Sequence, residues 1–417
     1  MIQYVFMAIG FLVTILNLLV FLALRRRMII AFPRRGGLIS FILAAPFWLL
    51  LHPAILLMFG GASVLMVLRN DAPLALQLSS MSFQMAVWIY GGILLLAGTP
   101  GTFAGAARRL RRLFNKHPDG TRPEKDLAVD ERRRNLVKAG LVMPAAIVAT
   151  AAGGTLAARQ APVVNRIRLR VPKDRTNLHG LTIAQVSDVH VGSYMDRERL
   201  RMISDVMNSL KADYHVMTGD LLDNDMIQLE HSQDFLRDLS PRREVLMCMG
   251  NHEYIAARTG DVKDVVNGLR ETGAQLLIDD ARKLSVGGDH LWVGGIDYPA
   301  QAGLPGSRRT PHDSLSHTLA LMDDDGAPRI VLAHHPKSFA AGKDMQLDLM
   351  LSGHTHGGQL KLGRIGDFAI TPVLPFEFFH NGHYERNGRR LYVNAGAGGW
   401  MPVRINCPPE ITIIELV

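Results

Sequence analysis

The sequence predicts an α/β domain over residues 166–417, preceded over residues 1–165 by a transmembrane region of about four helices. Three observations carry this. Long apolar runs dominate the first 165 residues, running from about Ile2 to Leu24, Leu38 to about Leu57, Leu74 to Ala97 and Leu136 to Ala157. Each approaches the ~20 residues that cross ~30 Å of hydrocarbon. From Arg166 onward, short β-rich runs alternate with amphipathic stretches. The charge divides at the same place: 18 Lys/Arg face 6 Asp/Glu before residue 166, and 28 face 32 after it. The basic excess of the whole chain thus lies in its first part and is no nucleic-acid footprint on the second.

Of those 18 basic residues, 16 fall between Arg25 and Gly37 or between Ala106 and Lys138. Read as cytoplasmic loops, they place a multi-pass region in a bacterial inner membrane and the C-terminal domain on the periplasmic or extracellular side. The fourth run opens "RRRNLVKAG", in which Arg133 and Arg134 are followed by a variable residue, two apolar residues and Lys138. This resembles a twin-arginine export signal and makes the membrane and that export machinery expected partners. Only Cys248 and Cys407 occur, so there is no disulfide framework; whether the two pair stays open.

In the second domain, "LTIAQVSD" (181–188), "YHVMTGD" (214–220), "EVLMCMGN" (244–251), "RIVLAHH" (329–335), "LDLMLSGH" (347–354) and "RLYVNAG" (390–396) read as buried strands. Helical segments are expected over Arg197–Leu210 and Gln228–Leu239. The polar groups "SDVH", "GD", "GNHE", "HH" and "GHTH" each follow a strand, and the carboxyl ends of strands in α/β sheets are where ligands bind. The candidate metal ligands are Asp188, His190, Asp220, Asn251, His334, His354 and His356. Carboxylates, imidazoles and an amide without a thiolate suit manganese foremost, with iron, zinc or magnesium as alternatives. Seven donors exceed the need of one ion and suit two that share a carboxylate, a pair able to hold a hydroxide and clamp a phosphoryl oxygen.

"SDVHVG", "GDLLD", "GNHE", "AHHP" and "GHTHGGQ" in this order resemble the motif set of the calcineurin-like metallophosphoesterase superfamily. The closing "GAGGWMPVRINCPPEITIIEL" resembles a membrane-attached bacterial branch of it. The resemblance spans about residues 180–417 and implies a two-layer β-sandwich core flanked by helices, with a dinuclear metal centre at its edge. By that pattern Asp188, His190 and His356 bind one ion, Asn251, His334 and His354 the other, and Asp220 bridges. His252 reaches the phosphate, stabilising charge and protonating the leaving oxygen. Asp223 and Glu253 orient histidines or the loop, and His335 is a further candidate for that role. Gly353 and Gly357 are expected to let the backbone aim His354 and His356 apart. Arg386, Arg389, Arg390 and Arg404 are candidates to meet a phosphate, and the aromatics of 363–386 to touch acyl chains.

The expected function is a metal-dependent phosphoric ester hydrolase, membrane-anchored, cutting a phosphate ester or diphosphate bond by metal-bound hydroxide on a substrate that is lipid-linked. One alternative is the UDP-2,3-diacylglucosamine pyrophosphatase activity of lipid A synthesis, against which the outward topology weighs. An alternative of another class is a transporter or sensor whose outer domain binds phosphate compounds. The apolar segments offer only His52 as an ionisable group clearly inside a span, which is thin for a transport path.

Overall fold

The computed structural model describes residues 153–417, except 193, 300–305, 362, 366–367, 372, 375–376 and 400–402, together with 15, 17–26, 29, 35, 37–38, 41 and 44. The chain divides into two compact units, Met1–Thr155 and Leu156–Val417. The four apolar runs and the twin-arginine-like segment lie largely outside the described residues. Among the described residues no helix is long and apolar enough to cross a membrane. A crossing needs ~20 apolar helical residues, so the expected four-helix transmembrane region is corrected on this ground.

The second unit is built on two six-stranded sheets. Sheet one runs β1 (Val163–Leu169), β14 (Glu410–Leu416), β2 (Thr182–Val186), β3 (Tyr214–Met217), β4 (Glu244–Cys248), β5 (Gln275–Leu277). Sheet two runs β12 (Gly382–Arg386), β13 (Arg389–Val393), β9 (Leu349–Ser352), β8 (Arg329–Leu332), β7 (Asp289–Gly295), β6 (Asp280–Val286), and a separate hairpin pairs β10 (Gly363–Ile365) with β11 (Phe368–Ile370). Strands β2 to β5 are mutually parallel, as are β7, β8, β9 and β13. Of these, β2, β3, β4, β8, β9 and β13 lie inside their sheets and are largely covered on both faces, which is why they read as continuous apolar runs rather than alternating ones.

Alternate residues of the strands sort into layers. Ile183, Val216, Leu246 and Cys248 of sheet one meet Val293, Leu332, Leu349 and Leu351 of sheet two in the inner core. On the other face of sheet one, Ala184, Met217 and Met247 pack under α1 (Arg197–Ser209), α2 (Leu229–Asp238) and α4 (Val262–Arg270), through Ile203, Phe235 and Val265. The short α3 (Asn251–Ala256) follows β4 directly. Val331 and Met350 of sheet two pack under α5 (Pro311–Ala320) and α6 (Ser338–Ala341), through Leu315 and Phe339. The sheet core expected from sequence is therefore present. Local signals fix the helix starts: the Asp196 carboxylate accepts from Arg199 N at 3.0 Å and caps α1. Asp261 caps α4 in the same manner, accepting from Lys263 N at 2.8 Å.

Candidate active site

Five of the seven candidate ligands stand on left-handed backbone: Asp188 (φ 52°), His190 (52°), Asp220 (54°), His354 (69°) and His356 (51°). This region costs a non-glycine residue roughly 1 kcal/mol or more, and such strain concentrates at functional sites. The loops after the strands are laced together to hold it. Asp188 N donates to Gly219 O (3.1 Å), His190 N to Asp220 O (3.0 Å) and Gly353 N to His334 O (3.1 Å). At Gly353 the need is space, because an added Cβ would meet Ser187 Oγ at 1.9 Å and Asp188 Oδ2 at 2.1 Å. Gly357 has the positive φ, 59°. The two glycines thus serve for different reasons, not for a shared freedom to bend.

The side chains converge in two groups. In the first, His190 Nε2 lies 3.1 Å from His356 Nε2, and His356 Nε2 lies 3.3 Å from Asp188 Oδ1. In the second, His354 Nδ1 lies 3.1 Å from His334 Nε2 and 2.9 Å from Asn251 Oδ1. Asp220 joins them, with Oδ2 at 3.0 Å from His334 Nε2 and 3.7 Å from His190 Nε2. Its other oxygen, Oδ1, accepts from His252 N at 2.9 Å. One carboxylate oxygen is thereby tied back and the other left between the two groups. His354 and His356 point to different groups.

The neighbours set orientation and tautomer. His334 Nδ1 donates to Thr218 O at 2.7 Å, which turns its Nε2 toward Asp220. Asp223 Oδ1 lies 3.5 Å from His190 Nδ1, and its backbone carbonyl takes the hydrogen bond of His252 Nδ1. The buried Glu253 carboxylate collects four backbone donors, Asp220 N, Leu221 N, Leu222 N and Gly250 N. His335 stacks on His354 with ring centroids 4.3 Å apart, and its Nδ1 accepts from Lys337 N.

Burial alone would raise the Asp220 pKa, but His334, His252 and His190 overcome it and hold this carboxyl well below its usual range. Burial lifts Asp188 to about 6, His334 pulling down and Asp220 pushing up. Burial opposes protonation of His334, yet Asp220 and Asp188 raise it to about 9. Burial keeps His354 and His356 well below the ordinary histidine value, so their lone pairs are available. Facing imidazole nitrogens and carboxylate oxygens about 3 Å apart, with no thiolate among them, fit a pair of divalent cations. Among the described residues, three groups meet the spacing that a single ion needs: Asp188–His190–His356, His190–Asp220–His252 and Asp220–His334–His354.

The family model of calcineurin-like phosphoesterases matches residues 181–358. The chain is similar to the uncharacterized metallophosphoesterase YkuE of Bacillus subtilis, 30% identical over 246 residues that cover 57% of this chain and 79% of that protein. It is also similar to UDP-2,3-diacylglucosamine pyrophosphatase LpxG of Chlamydia muridarum (27% identical; 60% and 88% covered) and to phosphodiesterase YaeI of Escherichia coli (29%; 60% and 87%). The chain belongs to the calcineurin-like metallophosphoesterases. A metallophosphoesterase is a metal-dependent hydrolase, and its fold implies a dinuclear divalent centre, for which the two converging groups supply the donors.

Two features of this metallophosphoesterase were not read from its sequence. After β7, Asp297 accepts from Tyr254 OH (2.7 and 2.8 Å) and so ties α3 to sheet two. Next to it the buried Tyr298 ring lies 6.0 Å from both His334 and His354. The signal existed, since "GGIDYP" follows the apolar "HLWV" as the other polar groups follow theirs. The arginines are the second feature. Arg404 is wholly buried among backbone carbonyls, Arg389 donates to Phe339 O and Gly342 O, Arg390 lies beside Glu385, and Arg386 lies over the Phe378 and Phe379 rings. None of the four hydrogen-bonds to the seven candidate ligands: Arg404 and Arg389 cap carbonyls, Arg390 pairs with Glu385 and the exposed Arg386 lies over aromatic rings. Cys248 and Cys407 are both free and buried.

Proposed function

We propose that this enzyme hydrolyses a phosphate ester or diphosphate bond of a lipid-linked substrate, with manganese as the favoured ion at both positions. The observation that carries the reading is Asp220, one carboxylate set between two groups of donors with His252 beside it. When bound, the ion pair supplies Lewis acidity toward the phosphoryl oxygens and an activated water. The protein's own part falls to few residues. Asp188, His190 and His356 would hold one ion, Asn251, His334 and His354 the other, and Asp220 both. His252 Nδ1 is engaged by the Asp223 carbonyl, so its Nε2 is the atom that carries a proton to the leaving oxygen. The ring stands edge-on to His190 at 4.4 Å between centroids, which fixes its direction.

Two observations support an amphiphilic substrate. LpxG, whose name specifies a diphosphate on a diacylated sugar, is among the relatives. A cavity of about 850 Å³ is lined by Lys361 and Arg364 together with Phe378, Tyr384 and Asn381, a mixture that suits an anion carrying apolar groups. The outward topology that weighed against UDP-2,3-diacylglucosamine rested on the four expected spans, so it no longer bears on that choice.

The test is turnover by the full chain loaded with Mn²⁺ on p-nitrophenyl phosphate, bis-p-nitrophenyl phosphate and UDP-2,3-diacylglucosamine, beside Asp220→Asn and His252→Ala. Metal-dependent release on at least one substrate, abolished in Asp220→Asn and reduced ~10²-fold or more in His252→Ala, is expected. Release from the lipid nucleotide at a higher kcat/KM than from the small esters supports the lipid reading. Equal or better turnover of the small esters overturns it.

A further inference from the structure

Arg404 is 1% exposed and the largest fully buried side chain among the described residues. A buried cation costs several kcal/mol unless it is compensated. Among the described residues no carboxylate lies within ion-pair distance of it; five backbone carbonyls compensate it instead. Nη2 donates to Ala395 O (2.8 Å), Gly396 O (3.0 Å) and Gly398 O (2.6 Å). Nη1 donates to Cys407 O (3.1 Å) and Pro408 O (3.3 Å).

The carbonyls on Nη2 belong to one turn, and that turn presses on one half of the metal centre. Ala397 N donates to Ser187 O and Gly398 N to Asp188 O, both at 2.9 Å. A Cβ on Gly396 would stand 2.9 Å from Asp188 Cβ and 3.3 Å from His356 Nδ1. On the Nη1 side, Cys407 Sγ lies 3.5 Å from His356 O. These contacts fall on Ser187, Asp188 and His356. None falls directly on Asn251, His334 or His354; His354 is reached only at its backbone N–H, which donates to the Asp188 carboxylate at 3.0 Å.

We infer that Arg404 is a positioning residue for the ion of the Asp188–His190–His356 group alone. It clamps the 395–398 turn against Asp188 and His356 from behind, and the ion at the Asn251–His334–His354 group does not depend on it. The inference rests on the dinuclear reading of the site. Only a guanidinium serves, because a planar fork can reach three carbonyls of one turn and two of another segment at once, whereas an ammonium is a point donor. Outer partners of metal ligands set affinity by 10–100-fold when removed.

The experiment titrates Mn²⁺ into the metal-free full chain by calorimetry and follows it by electron paramagnetic resonance. It compares wild type, Arg404→Lys and Asn251→Ala. Wild type binds two ions with a spin-coupled signal. Arg404→Lys is expected to keep one ion at wild-type affinity, to weaken the other roughly 10–100-fold, and to show an uncoupled signal. Asn251→Ala should lose the opposite ion, so the double variant binds neither tightly. Two ions at unchanged affinity in Arg404→Lys, or both weakened alike, overturn the inference; the second is what a merely structural arginine would give. Should Arg404→Lys not fold, hydrogen exchange in Asn251→Ala decides. Filling its remaining position must slow exchange at the Ala397 and Gly398 amides, and unchanged exchange overturns the assignment. A wild type that binds no ion overturns this inference and the dinuclear reading together. Two bound ions without phosphoester turnover overturn only the proposed function.

Discussion

Glu253→Gln is an isosteric change with a large expected cost. The Glu253 side chain is fully buried, with Oε1 accepting from Leu221 N (2.7 Å) and Leu222 N (3.3 Å) and Oε2 from Gly250 N (2.7 Å) and Asp220 N (3.0 Å). Burial, followed by the nearby Asp220 charge, raises its pKa, and the donors from Gly250 and Leu221 oppose that rise. Glutamine keeps one acceptor oxygen and turns an NH₂ group toward two backbone N–H groups. Two hydrogen bonds to a charged acceptor are lost, at roughly 1.5–3 kcal/mol each, so about 3–6 kcal/mol of stability should go. At roughly 2–4 °C per kcal/mol for a unit of this size, the fall in Tm is on the order of 10 °C. Thermal unfolding of wild type and variant measures it, and hydrogen exchange locates it at the amides of Asp220, Leu221 and Leu222. A Tm within 2 °C of wild type, or unchanged exchange at those three amides, would refute the view that Glu253 holds the Asp220 loop.

Three further outcomes are expected. His215 is buried on β3 and burial depresses its pKa to about 4. The unfolded chain therefore binds the extra proton first, and stability present above pH ~6.5 is lost as the pH falls toward 4, by about 3 kcal/mol; His215→Leu should flatten that acid limb in a pH series of urea midpoints. Tyr254→Phe removes the hydroxyl that donates to Asp297, whose carboxyl burial has already raised to about 6, and should cost about 1–3 kcal/mol by chemical denaturation at pH 7. Gly353→Ala forces a methyl group onto Ser187 Oγ and Asp188 Oδ2; ion counting by elemental analysis should fall from two per chain, and two tightly bound ions would contradict the close approach.

The sheet strands that carry the candidate ligands were legible because they are buried on both faces. "TIAQV", "YHVM" and "RIVL" are too short for buried helices and lead into the polar groups "SD", "TGD" and "AHH", and they are β2, β3 and β8. The edge strand β6, which mixes Arg282 and Lys283 with apolar residues and turns one side to solvent, was missed, and its buried partner β7 with it, although the Gly287–Gly288 turn between them, with φ of 56° and 98°, is a hairpin signal in the sequence. The seven candidate ligands were legible as residue types placed after strands. Their supports were not, because backbone bonds such as Glu253 to four amides, or Arg404 to five carbonyls, leave no periodic mark. Arg389 and Arg404, two of the four candidates for a phosphate contact, show the same limit: charge can be read from a sequence, but whether carbonyls already use it cannot.

The division of donors between the sheets has its own consequence. Asp188, His190, Asp220 and Asn251 follow β2, β3 and β4 of sheet one, whereas His334, His354 and His356 follow β8 and β9 of sheet two. Neither sheet alone supplies a complete set for either position. The first needs His356 from across the sandwich, the second needs Asn251 and the shared Asp220. Each ion would therefore tie one sheet to the other at the edge where their inner core ends. Because such a set does not exist in the unfolded chain, the free energy of ion binding adds to that of sheet association. The strained backbone at five of the candidate ligands then has its compensation close by. Left-handed conformations that cost ~1 kcal/mol or more each are held by the lacing of Asp188, His190 and Gly353 to loops of neighbouring strands, and the same lacing brings the carboxylates of one sheet against the imidazoles of the other.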